Sequence, residues 1–265
     1  MKEIKGLRAL VTGASSGIGE AFARLLATRG ADLVLTARRQ ERLEALAAEL
    51  METHEVAVET IPLDLAAPGA PAKLLAAARG EDGAGRIDIL INNAGFGLYG
   101  PFTELSWQSQ AEMNQLNITA LSELCHLFLR PALAADERVW LLNVSSVGAF
   151  QPVPTLAAYA AGKAYVLSMS EALSLEVAGT KVTVSCLCPG GTRTEFFKRS
   201  GQTLGGSLQQ RALMSAESCA AIGLAGLFRG KRRIVPGALN RVSSFMARHS
   251  PANLAGRVAE RVIRP

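Results

Sequence analysis

A doubly wound α/β domain, with a parallel sheet of about seven strands and helices on both faces, is the fold class this sequence predicts. Three observations lead there. Short runs rich in Val, Ile and Leu alternate with segments of helical periodicity. Most of those runs are continuously apolar and bounded by turn residues, the pattern of strands covered on both faces. The chain has 265 residues, 49% of them hydrophobic and 19% charged, enough for one sizeable core and too few for two full domains. Strands are expected over residues 9–12, 32–37, 56–62, 87–92, 139–144, 182–187 and 232–235. Between the first two, Ile18, Ala21, Phe22, Leu25 and Leu26 trace one helix face, which Gly30 closes. The next helix shows Leu43, Leu46, Ala47 and Leu50. Repeated βαβ units of this kind wind right-handed.

Composition excludes several classes. Cys125, Cys186, Cys188 and Cys219 fit neither a zinc pattern nor a CxxC motif and read as reduced core residues. His54, His126 and His249 have no partner pattern, and no metal cluster is visible. The opening MKEIKGLRALVTG lacks the apolar stretch of a signal peptide. No apolar run approaches a membrane span, so a cytoplasmic enzyme is expected. The net charge of +5 is uneven: residues 230–265 carry eight bases against Glu260, which leaves about −2 elsewhere. The basicity describes a tail, not a nucleic-acid-binding body.

The first strand runs into Thr12-Gly13-Ala14-Ser15-Ser16-Gly17-Ile18-Gly19 and then a helix. Gly13 allows a tight turn, Gly17 lets a pyrophosphate approach the backbone, and Gly19 lets helix and sheet pack closely. The helix N-terminus offers free N–H groups to anionic oxygens. The spacing is GxxxGxG rather than GxGxxG, but its place between strand and helix strengthens the reading.

The turn TGASSGIG is similar to that of short-chain dehydrogenases. Further matches follow in order: Asp64-Leu65, Asn92-Asn93-Ala94-Gly95, Asn117, Ser146, Tyr159-x-x-x-Lys163 and Pro189-Gly190. The resemblance implies one Rossmann-like domain, NAD or NADP, and chemistry at a carbonyl or alcohol carbon. It places Asp64 and Leu65 beside the adenine, Asn93 in the sheet centre next to the cofactor, and Thr194 at the nicotinamide end. The cofactor-binding set it implies is Gly13, Ser15, Ser16, Gly17, Ile18, Gly19, Arg38, Asp64, Leu65, Asn93, Ala94, Gly95, Tyr159, Lys163, Pro189, Gly190, Thr192 and Thr194.

The end of the second strand selects between the two dinucleotides. An acid there accepts from a ribose 2′-OH, whereas a cation attracts a 2′-phosphate. Leu35-Thr36-Ala37-Arg38-Arg39 has no acid and two arginines. NADP(H) is therefore expected, with Arg38 as first contact and Ser15 or Arg39 assisting.

Tyr159 and Lys163 lie four apart in a helical stretch expected over residues 155–178, which puts them on one face. A free tyrosine has a pKa of about 10, and bringing it near neutrality takes about 4 kcal/mol. One ammonium about 4 Å away, in an effective dielectric of about 20, supplies that much. Ser146, after the fifth strand, can donate to the substrate oxygen as charge develops there. The family's spacing selects it over Ser145. The family position that holds a proton-relaying water falls on Asn117, with Asn114 as competitor.

Residues 96–101, 147–154 and 193–214 should wall the substrate pocket. Phe96, Leu98, Tyr99, Phe150, Val153, Phe196, Phe197 and Leu204 favour an apolar carbonyl or alcohol substrate. Gly201, Gly205, Gly206 and Ser207 read as a mobile lid. Residues 1–237 then form a single NADP-binding catalytic domain, and residues 238–265 a basic helical extension. Leu239, Val242, Phe245, Met246 and His249 recur at helical spacing. Ser250-Pro251 starts a second helix with Leu254, Val258 and Val262 on one side. Their apolar faces are short, so packing on the body or on a second subunit of a homo-oligomer is expected, with peripheral membrane contact through the tail as the alternative. A regulatory or scaffold protein of this fold without turnover is the rival to an oxidoreductase. The complete set Asn117, Ser146, Tyr159 and Lys163 argues against it.

Overall fold

The computed structural model describes residues 4–80, 85–203 and 213–263. The first half runs β1 (Arg8–Thr12), α1 (Gly17–Ala27), β2 (Asp32–Ala37), α2 (Gln40–His54), β3 (Val58–Pro62), α3 (Ala70–Ala78) and β4 (Ile89–Asn92). There follow α4 (Trp107–Asn114), α5 (Leu121–Ala134), β5 (Trp140–Val144), α6 (Ala157–Glu176) and β6 (Thr183–Leu187). The short strands β7 (Thr192–Arg193) and β8 (Met214–Ser215) pair in parallel and flank α7 (Phe196–Ser200). The chain continues through α8 (Ala216–Phe228), β9 (Arg233–Ile234), α9 (Ala238–His249) and α10 (Ala252–Ile263).

Seven parallel strands form the main sheet in the order β3-β2-β1-β4-β5-β6-β9. Alternate side chains on each strand serve different layers. Ala9 and Val11 pack with Phe22 and Leu26 of α1, Leu43 and Leu50 of α2, and Leu224 and Leu227 of α8. Leu10, Leu90 and Leu141 pack with Leu74 of α3, Phe128 of α5 and Val166 of α6. The seven-stranded Rossmann-like sheet is the one the periodicity predicts. The order reverses between β1 and β4, so the loops leaving their carboxyl ends part and open a crevice there.

Several boundaries differ from expectation. Val56, Ile87, Val139 and Val182 are buried, yet each precedes the first paired residue of its strand. Burial starts before the ladder does, and hydropathy alone lengthens the strand. The helix expected from residue 155 begins at Ala157 because Thr155 is left-handed, at φ 67°. Residues 204–212, including Leu204 of the expected pocket wall and Gly205, Gly206 and Ser207 of the expected lid, lie outside the described residues.

The tail packs on the body through small and polar residues, not through its predicted apolar stripe. Asn240 and Ser244 point inward on α9, while Leu239, Val242, Phe245 and Met246 are exposed. The seat of α9 is too close for bulky side chains: a Cβ at Gly190 would lie 2.7 Å from Asn240 Cγ. α10 likewise faces inward through Ala255, Gly256 and Ala259, against Pro152 and Val153.

Gly19 shows why the α1 start is fixed by sequence. A Cβ there would overlap the Gly13 carbonyl oxygen and Asn93 Nδ2, and the backbone carbonyl cannot swing aside. Gly19→Ala is expected to destabilise the fold by about 1–3 kcal/mol, read as a lower denaturation midpoint. An unchanged midpoint would mean that helix and strand do not meet here.

Candidate active site

The crevice is built from the ends of β1 and β4. Thr12 Oγ1 accepts from the N–H groups of Asn93 and Ala94, each at 2.9 Å. Asn93 Nδ2 donates to the Thr12 carbonyl at 2.9 Å. These bonds tie the two strand ends together just where their loops separate. Gly13 and Gly17 adopt left-handed backbone, at φ 67° and 61°. A Cβ at Gly17 would lie 2.9 Å from Thr194 Cγ2, so that glycine keeps a narrow cradle open between the turn and the β7 segment. Ser16 precedes α1 without a side-chain capping bond, which leaves the first-turn N–H groups, from Gly17 through Gly19, available to an anion. Across the cradle, Thr192 Oγ1 donates to the Gly190 carbonyl at 3.0 Å.

At the β2 end the two arginines divide differently from expectation. Arg39 Nη2 donates to Ser15 Oγ at 3.1 Å and Ser16 Oγ at 2.7 Å, and its Nη1 donates to Glu195 Oε2 at 2.7 Å. Arg42 Nη1 donates to Glu195 Oε1 at 2.7 Å. Arg38 instead points to Asp64, 3.9 Å from its Oδ2, and is more exposed. Leu65, next along, is buried in the core layer. The guanidinium at the glycine-rich turn thus belongs to Arg39, with Arg38 turned toward Asp64. Hydrogen bonds from Arg42 and then Arg39 hold the Glu195 carboxyl well below the usual carboxylate range, at about 2. Glu195 and Arg42 carried no local signal in the sequence, because their pairing spans 153 residues.

The second cluster lies at the carboxyl ends of β4 and β5. Lys163 is buried one helical turn from Tyr159, with Nζ donating to the Val144 carbonyl at 2.9 Å and standing 5.8 Å from the centre of the Tyr159 ring. The Ser145 hydroxyl donates to the Lys163 carbonyl at 2.7 Å, so that serine holds the helix. Ser146 Oγ accepts from Gly148 N at 3.1 Å, capping a 3₁₀ turn (Val147–Phe150) beside the Tyr159 phenol. Asn117 sits in a π-helical stretch, Gln115–Ala120, between α4 and α5. Its Oδ1 accepts from Phe96 N at 3.2 Å and its Nδ2 donates to the Phe96 carbonyl at 2.8 Å. A Cβ at Gly95 would lie 2.8 Å from Asn117 Oδ1 and 3.5 Å from Lys163 Nζ. Gly95 leaves the room that both groups occupy.

Burial reverses the expected electrostatics. It pushes the half-buried Tyr159 phenol up to about 12, with the Ser146 hydroxyl opposing it. It also brings the Lys163 ammonium down to about 8. The Lys163 charge was expected to lower the tyrosine. Its ammonium is instead engaged by a backbone carbonyl, and desolvation of the phenolate dominates. Tyr159 is therefore a neutral hydrogen donor at ordinary pH.

An apolar wall surrounds this donor. The Phe196 ring lies 5.3 Å from that of Tyr159, and Phe197 meets Phe196 edge-on at 5.9 Å. Gly97 leaves room for Phe196, since a Cβ there would come 2.7 Å from its Cζ. Val153, Leu156, Ala160 and Ala259 cluster with Tyr99 and Tyr159. The part played by Ala259, from the tail, was not visible in the sequence. Among the described residues no group of three His, Cys, Asp or Glu could hold a metal, and no helix is long and apolar enough to cross a membrane.

Comparison with known proteins adds to the geometry. The short chain dehydrogenase family model matches residues 8–205. A 7β-hydroxysteroid dehydrogenase of Collinsella aerofaciens is 32% identical over 194 residues, covering 73% of this chain and 72% of that protein. A short-chain dehydrogenase from Sphingobium yanoikuyae, solved in complex with NADPH, superposes with TM-score 0.81 at 34% identity, over 90% of this chain and 92% of the other. The bulky-bulky ketone specific alcohol dehydrogenase of Comamonas testosteroni gives TM-score 0.77 at 32% identity, over 91% and 92% of the two chains.

Proposed function

The chain belongs to the short-chain dehydrogenase family, and from that membership we propose that it is an oxidoreductase acting between NADP(H) and the carbonyl or alcohol carbon of a bulky apolar substrate. The observation that carries the reading is the gathering of Ser146, Tyr159 and Lys163, with Lys163 and Asn117 both reaching Gly95, beside the crevice at the strand-order reversal. The residues fit a phosphorylated dinucleotide. The cradle between Gly17 and Thr194 would fill if Gly17 carried a Cβ, and Arg39 with Ser15 and Ser16 gathers donors suited to a 2′-phosphate. Arg38 and Asp64 would border the adenosine end. When bound, the dinucleotide supplies or accepts the hydride.

The chain's own groups do the rest. Tyr159 donates its phenolic proton to the substrate oxygen, and Ser146 steadies the charge growing on that oxygen with a second hydrogen bond. Lys163 holds a positive charge beside the phenol, and Asn117 orders the Phe96 backbone that lines the approach. Tyr99, Val153, Phe196 and Phe197 exclude water from the reacting centre. The names of the steroid and bulky-ketone dehydrogenases among the relatives point to the same kind of apolar substrate.

The test is a panel of small, cyclic and polycyclic ketones, followed by loss of NADPH absorbance. Turnover favouring the bulky apolar members is expected. No turnover of any ketone or of the matching alcohols would overturn the proposal. The pH profile adds a check. Lys163 is protonated below about 8, so kcat/KM for ketone reduction should fall above that pH as the ammonium is lost. A flat profile well into alkaline pH would remove the ammonium from the mechanism.

A further inference from the structure

α9 is amphipathic with its sides exchanged. Its inward face presents Asn240 and the buried Ser244, while Leu239, Val242, Phe245 and Met246 are 80, 57, 66 and 61% exposed. α10 continues the pattern: Ala255, Gly256 and Ala259 face the body, and Leu254 and Val258 are exposed at 57 and 54%. Folding of this chain alone gains nothing from such an arrangement, and exposed apolar stripes of this kind mark a surface that something covers. The inner side of α10 packs beside Tyr99 and Tyr159, so the helix that carries part of this face borders the catalytic cleft.

Charge decides what covers it. Arg241, Arg248, Arg257 and Arg261 are all exposed on these two helices, within a segment carrying eight bases and one acid. Two copies meeting through this face would bring two such segments together, and like charges across an interface oppose association. A helix with an apolar outer stripe flanked by arginines suits the boundary of an anionic bilayer, where apolar side chains enter the acyl region and guanidinium groups meet headgroup phosphates.

We propose that the outer faces of α9 and α10 form a docking surface for an anionic lipid bilayer, on a tail whose second helix borders the catalytic cleft. The surface would hold the cleft where apolar molecules partition. The binding claim is independent of turnover.

Sedimentation of the full chain with vesicles tests it, comparing pure phosphatidylcholine with phosphatidylcholine mixed with phosphatidylglycerol, at low and high salt. Binding to the mixed vesicles alone, weakening steeply with salt, is expected. Each basic residue near an anionic surface contributes roughly fivefold, so joint Arg257→Glu and Arg261→Glu substitution should lose roughly twenty-fivefold or more. Phe245→Asp should also release the protein. All three residues are exposed, so melting temperature and NADPH binding should hold, which separates lost docking from misfolding and from failure of the dehydrogenase reading. Three results would overturn the proposal: no sedimentation with either vesicle, sedimentation indifferent to these substitutions, or a dimer by light scattering that Phe245→Asp dissociates while vesicles bind nothing. The last would assign the face to a second copy of this chain.

Discussion

Tyr159→Phe is expected to slow ketone reduction by about 10²–10⁴-fold while leaving NADPH affinity unchanged. The substitution removes one hydroxyl and keeps the ring that Phe196 packs against at 5.3 Å. Burial already holds the phenol in its neutral form, at about 12, so Tyr159 enters the reaction with its proton in place. Among the described residues nothing nearby offers an equivalent donor: Ser145 is committed to the Lys163 carbonyl, and Ser146 alone has an alcohol's reluctance to ionise. Single-turnover kinetics with saturating NADPH would measure the loss, and titration of NADPH fluorescence would check binding. Full activity in the variant would remove Tyr159 from the chemistry. Ser146→Ala should lose less, about 10²-fold, because it deletes a charge-stabilising bond and not the proton source.

The other large effect falls on cofactor choice. Arg39→Ala is expected to weaken NADPH by about tenfold to a hundredfold, the worth of a charge-assisted contact of roughly 1.5–3 kcal/mol, and to leave NADH nearly unaffected. Its guanidinium is already held against Ser15 and Ser16 at the mouth of the turn. Arg38→Ala should lose less, since that side chain is more exposed and leans on Asp64. Paired titrations of both dinucleotides against both variants decide the matter. A larger loss for Arg38 would restore the order that the sequence suggests, and equal parent affinities for the two dinucleotides would remove the 2′-phosphate argument altogether.

Much of this was legible because strand periodicity and motif order are local properties. Alternation within β1 separates Ala9 and Val11 from Leu10, and the same alternation is written in the chain. Three other features depend on surroundings that no local pattern encodes. Arg38 and Arg39 are neighbours, and only the path of the chain leaving β2 decides which one turns to Ser15. The Tyr159–Lys163 spacing gives proximity, but the balance between ammonium and burial depends on Val144 and the walls around both groups. Periodicity in the tail identifies an apolar stripe on α9 without saying which side faces the body. The tight approach of Asn240 to Gly190 settles that. Thr155, left-handed at φ 67°, is a further case: its residue type favours no such backbone, and the start of α6 moves with it.

The π-helical stretch at Gln115–Ala120 has a consequence for sequence length. A turn of this kind holds one more residue than an α turn. Removing any single residue from it would let α4 run into α5 as one regular helix, with backbone bonding improved and helix content unchanged. The same deletion would rotate whatever lies on one side of the cut by about 100° against the other. Asn117 would swing off the Phe96 backbone, and either the α5 face packed on the sheet or the α4 face packed against α6 would lose its register. Here the chain spends one residue of length on aim, so a protein shortened by that residue should look intact by circular dichroism and fail at the site.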